Sequence, residues 1–223
     1  MPKAQLALKA NNKLAIPNKT ILKPGEVGAT ISWCVRKGIF DPNGEITEFQ
    51  SAKRSESFVG NFMALLRGAM ENTPAMVGLE LTDTSNTLQL VHNNIYIFDV
   101  TSAINLDTKS IVVGTGNTAP TITDYALQTK IAHGAGAGQM SYSATTFAVP
   151  VSDGTTSQFT ITRNFANGSG GSITVQEIGL ISQVQDETQT NRYFLLIRDV
   201  IAGGIVVPNG QTLTVNYRPQ AVV

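Results

Sequence analysis

From Gln139 to Tyr217, apolar side chains fall at alternate positions in short runs, and each run ends in a turn rich in glycine, asparagine or aspartate. Successive side chains of a strand point to opposite faces, so a two-residue period marks half-buried strands. Met140–Val149 is the first run, and Ser152-Asp153-Gly154 turns it. Gln158–Phe165 follows, with Phe159, Ile161 and Phe165 on one face, and residues 167–171 form a Gly/Ser loop. Ser172–Val184 is the next strand, where Val175 and Ile178 break parity and predict a bulge near Glu177. Arg192–Val200 is apolar on both faces, the pattern of a central strand. Pro208-Asn209-Gly210 turns into Gln211–Tyr217, with Leu213, Val215 and Tyr217 alternating. Short strands with turn signals every 8–12 residues are the pattern of a sandwich or barrel.

The N-terminal half is mixed. Ala29–Arg36 reads as a strand, Asp41-Pro42-Asn43-Gly44 as a turn and Glu45–Gln50 as its return. The period then changes: Phe58, Val59, Phe62, Met63, Leu65, Leu66, Ala69 and Met70 recur at helical spacing. This predicts a helix over Ser57–Glu71, capped by Ser55 or Ser57 and stopped by Asn72-Thr73-Pro74. Met76–Leu81, Thr87–His92, Ile95–Val100 and Ser110–Val113 read as short strands. Thr121–Ile131 reads as a short helix or helical turn behind an Asp124 cap, and His133–Gly138 as a flexible linker. The expected fold is mainly β: an antiparallel β-sandwich or barrel-like domain over residues 29–223, with one or two short helices. A candidate sub-boundary lies at 132–138, and residues 1–28 form an extended basic arm.

Charge is sparse and unevenly placed. Charged residues are 14% of the 223, and 16 basic side chains balance 16 acidic ones. The usual share is about 25%. A neutral chain lacks the basic excess of a nucleic-acid binder. Residues 1–25 hold Lys3, Lys9, Lys13, Lys19 and Lys23 and no acid, which suits an arm that is either solvated or laid on a neighbouring subunit. Residues 131–185 hold only Asp153, Arg163 and Glu177, so that stretch is buried in a core, buried in an oligomer, or surfaced with Thr, Ser, Gly and Asn. No apolar run has the length of a membrane helix, and the N-terminus lacks the apolar region of a signal peptide.

Catalytic constellations are missing from the pattern. Cys34 is the single cysteine and sits in an apolar strand, so no intrachain disulfide or cysteine-rich zinc site is expected. His133-Gly134-Ala135-Gly136-Ala137-Gly138 is glycine-rich, but no Gly-Lys-Ser/Thr ending follows to reach phosphates and magnesium. His92 has no positioned Ser or Cys partner, and no G-x-S-x-G elbow is present. Asp41/Glu45, Asp83/Asp107 and Asp186/Glu187 are acid pairs without the spacing of a calcium loop. Trp33, the lone tryptophan, sits in a strand context that favours the core. No catalytic, cofactor-binding or metal-ligating residue is expected.

Ile111–Leu127 reads IVVGTGNTAPTITDYAL, Thr174–Leu180 reads TVQEIGL, and the chain closes with FLLIRDV and VPNGQTLTVNY. This succession resembles structural proteins of tailed bacteriophages, of tail-fibre, appendage or head-decoration type. KRSESFVGNFMALL also looks like the helical segment of some phage virion proteins. The resemblance covers about residues 55–217, most clearly 111–217, and leaves the basic arm outside. It implies a non-enzymatic virion component, assembled in the bacterial host cytoplasm, that associates with copies of itself and other virion proteins and docks on tail, neck or capsid. The alternative is a receptor- or glycan-binding module of a phage appendage, using the loops at Asn167–Gly171 and Gln185–Asn191. Neither nucleic acid nor membrane is an expected partner, and no cofactor is expected.

Overall fold

The computed structural model describes residues 22–55, 57–71, 79–91 and 98–223. Its strands are β1 (Val27–Lys37), β2 (Ile46–Ser55), β3 (Glu80–Thr82), β4 (Leu88–Leu90), β5 (Ser110–Gly114), β6 (Ser141–Tyr142) and β7 (Thr146–Phe147). They continue with β8 (Val151–Ser152), β9 (Thr156–Gln158), β10 (Ile161–Asn167), β11 (Ile173–Gln185), β12 (Asn191–Val207) and β13 (Gln211–Val222). One helix, α1 (Gly60–Glu71), lies between β2 and β3. The protein is a mainly β domain of antiparallel sheets with one short helix among the described residues. The larger sheet runs β2-β1-β13-β10-β6, with β7 on β10 and the β8–β9 hairpin on the far end of β13. A second sheet runs β12-β11-β5, and β3 pairs with β4.

The alternation read from the sequence sets the faces. Ile31 and Val35 of β1, Leu213, Val215 and Tyr217 of β13, and Ile161 and Phe165 of β10 are buried together. The opposite face carries hydroxyls and amides that bond across strands: Thr162 to Asn216 at 2.7 Å and Thr214 to Asn164 at 2.7 Å. From the buried face, side chains reach the smaller sheet. The Tyr217 hydroxyl donates to Asp199 of β12 at 2.8 Å, and Arg163 of β10 donates to the Ile111 carbonyl of β5 at 2.9 Å. Ser55, at the end of β2, donates to the same Asp199 oxygen at 2.8 Å.

Several elements differ from the sequence expectation for identifiable reasons. The helix starts at Gly60, because Ser57–Val59 pairs with β12: Val59 N donates to the Leu196 carbonyl and Arg198 N to that of Ser57, both at 3.0 Å. That pairing also concerns β12. It lies at the edge of its sheet rather than the centre; the entry to α1 pairs along that edge, and α1 itself packs against the strand. The central strand is β11, and its register shifts between Val175 and Glu177, the expected bulge. Thr121–Ile131 is a series of turns and no helix, so the second helix is absent from the described fold. Met140–Val149 divides into β6 and β7, and Gln158–Phe165 into β9 and β10. In the latter, Phe159 N donates to the Pro219 carbonyl, but Pro219 has no N–H to return. β1 starts at Val27, and just before it Gly25 and Glu26 bond to Val222. Residues 1–21, His92 and half of each strand expected at Met76–Leu81 and Ile95–Val100 (residues 76–78 and 95–97) lie outside the described residues.

Candidate functional site

The motif residues meet in one place. Glu177 of β11 is fully buried and takes four donors: Gly116 N at 3.0 Å, Gln128 N at 3.0 Å, Thr129 N at 2.7 Å and Arg198 Nε at 2.8 Å. Arg198 also donates to Asp124 at 2.8 Å and to the Thr118 hydroxyl at 3.3 Å. Burial pulls the Arg198 guanidinium down, but the bonds and charges of Glu177 and Asp124 outweigh it and raise it. Glycines make room for this cluster. A Cβ on Gly114 would lie 2.6 Å from both a Glu177 oxygen and the Thr129 carbonyl, and one on Gly179 would lie 3.0 Å from Leu127. The G-T-G, D-x-A-L and E-x-G-L segments are therefore parts of a single clasp that ties the 114–130 loop to β11 and β12.

A second buried cation organises the other side. Arg163 has no exposed surface and donates to the carbonyls of Ser143, Lys109, Ile111, Ala103 and Leu106 and to the Ser102 hydroxyl. Its guanidinium lies 4.9 Å from the centre of the Tyr142 ring, a cation–π distance. Burial pushes it down to about 10, so it stays charged at neutral pH.

The residues weighed from the sequence are held by local structure. The His133 ring accepts a bond from Tyr142 N at Nδ1 (3.3 Å), and the His133 backbone N–H donates to Asp107 at 2.7 Å. The glycine-rich loop closes on itself: Gly134 N bonds the Met140 carbonyl and Gly136 N the Gln139 side chain. Those N–H groups are spent and form no anion cradle. Asp41 accepts from Asn43 N in its turn, and Glu45 pairs with Lys37 on the surface. Asp83 and Asp107 serve separate loops, Asp83 accepting from Ser85 and Thr87 and Asp107 pairing with Lys130. Asp186 accepts from Thr188, Thr190 and Arg192. Burial raises its carboxyl, yet those hydrogen bonds prevail and bring it down to about 2. Cys34 is half-buried and Trp33 is in the core. In the two candidate loops, Asn167 bonds Gly171, Val207 and Ser169, and Gln185 bonds Asn191. Among the described residues, no group of three His, Cys, Asp or Glu is placed to hold a metal.

What remains open to a partner is apolar. Of the three charges in residues 131–185, Arg163 and Glu177 are internal and only Asp153 is exposed. Residues 146–155 stand out in solvent, with Phe147, Val149 and Val151 at 45%, 82% and 57% exposure. Beside them lies a groove of about 680 Å³ between the end of the larger sheet and α1. Its walls include Phe58, Phe62, Phe98, Phe147, Phe159 and Leu196, and no charged side chain of the described residues lines it. The lone charges of the uncharged stretch were the signal of the two buried networks. The groove had none, because it joins segments far apart in the chain. Comparison with family models, curated proteins and solved structures found no match.

Proposed function

We propose that the chain is a non-enzymatic structural component of a tailed-phage virion that assembles with copies of itself and docks on the tail, neck or capsid. In this reading the two larger sheets are the layers of a β-sandwich, linked by the Tyr217–Asp199 and Arg163–Ile111 bonds. The observation that carries the reading is the surface of residues 131–185: one exposed charge, with Phe147, Val149 and Val151 exposed beside it. Depletion of charge and exposure of contiguous apolar side chains mark protein–protein contact surfaces. The motif resemblance supplies the virion context. Quantitative mass spectrometry of purified particles from the phage that encodes the chain tests it. The chain should be present at a fixed copy number, and its absence from particles contradicts the proposal. The alternative of host-glycan binding predicts that deleting the 167–171 loop abolishes adsorption while assembly persists.

A further inference from the structure

We propose that the apolar groove is the seat of this chain's own N-terminal segment, residues 1–21, folded back with Leu14, Ile16 and Ile21 against the groove's phenylalanines. This goes beyond self-assembly and does not depend on it. The chain enters the described fold at the groove's rim. Leu22 is buried, and its side chain lies 3.4 Å from where a Cβ on Gly28 would stand. Glu26 N bonds the Lys23 carbonyl at 3.0 Å, so a turn reverses the path between Leu22 and β1. Val27, Gly28 and Ala29 then line the groove. The described chain thus begins, at Leu22, against a wall of the groove. At about 3.3 Å per extended residue, the remaining segment has ample length to cross it.

The chemistry matches as well. The segment places Leu6, Leu8, Leu14, Ile16 and Ile21 among Lys3, Lys9, Lys13 and Lys19, so one side can pack while the ammonium groups stay in water. The groove offers apolar walls and one unmet acceptor. Gln220 Oε1 is buried there without a hydrogen-bond partner among the described residues. A buried carbonyl oxygen is costly unpaired, and an extended backbone laid in the groove supplies the missing N–H. Charge holds the segment on the body: residues 1–21 carry four lysines and no acid, leaving 12 basic against 16 acidic side chains in residues 22–223. Tethering gives the segment an effective concentration of about millimolar at its own groove, well above that of a second copy in dilute solution.

The test uses the full chain with Cys34→Ser. Two cysteine pairs, Leu14→Cys with Phe147→Cys and Ile16→Cys with Phe147→Cys, are oxidised in dilute solution and mapped by mass spectrometry. In parallel, Leu14→Asp/Ile16→Asp is titrated with the apolar dye anilinonaphthalene sulfonate, its fold checked by circular dichroism. The expected results are an intrachain disulfide in at least one pair and a severalfold rise in dye fluorescence that does not change with protein concentration. A disulfide that forms only between chains gives the groove to a second copy and overturns the proposal. Absence of an intrachain link in both pairs, or dye fluorescence equal to that of the unsubstituted chain, also overturns it.

Discussion

Replacing Glu177 with alanine removes the acceptor of four donors at once. Three are backbone N–H groups of Gly116, Gln128 and Thr129, and the fourth is Arg198 Nε. Glu177 is fully buried, so water cannot replace the carboxylate without opening the clasp. Removing one partner of a buried, hydrogen-bonded ion pair costs about 3–5 kcal/mol. For a domain of this length each kcal/mol moves the melting temperature by about 2–4 °C, so about 4 kcal/mol predicts a fall of about 8–16 °C. Arg198→Met should cost less. Glu177 then keeps its three backbone donors, and Asp124, with 20% side-chain exposure, is partly hydrated. Thermal unfolding followed by circular dichroism, with urea unfolding to confirm an unchanged slope, measures both variants. A Glu177→Ala loss below about 1 kcal/mol, the range of an exposed ion pair, would refute the clasp, as would a larger loss in Arg198→Met.

Arg163→Lys should destabilise by about 2–4 kcal/mol despite keeping the charge, because one ammonium cannot reach carbonyls on both sides as the guanidinium fork does; urea midpoints check this. Asp186 has its carboxyl lowered from 3.8 to about 2, so it adds stability above its unfolded value that is lost as pH falls from about 4 through about 2. Unfolding followed across that window should show a shallower acid loss in Asp186→Asn than in the parent, and parallel curves would contradict the assignment. Val149→Asp, at a position 82% exposed, should leave the unfolding free energy within about 0.5 kcal/mol of the parent while weakening self-association in sedimentation.

Legibility in the sequence followed locality. Gln211–Tyr217 is legible because its turn, its alternation and its buried face lie within one stretch, and the bulge near Glu177 because a parity break is also local. The helical period begins at Ser57, and only the distant Leu196 and Arg198 backbone draws Ser57–Val59 into strand pairing. For β12, apolar residues on both faces record coverage and not sheet position, since the strand lies at the edge of its sheet. Thr121–Ile131 has helix-like spacing, but its Gln128 and Thr129 N–H groups are committed to Glu177, 49 and 48 residues away. The motif residues were legible as a pattern. Their convergence on one buried carboxylate required the fold, and so did the groove.

The most direct test of the central claim is the absolute mass of the full chain in solution, by size-exclusion chromatography with light scattering over a wide concentration range. A subunit that assembles through the uncharged 131–185 face gives a defined multiple of 23.8 kDa, and Val149→Asp lowers it. A single 23.8 kDa species at every concentration, unchanged by Val149→Asp, contradicts the account.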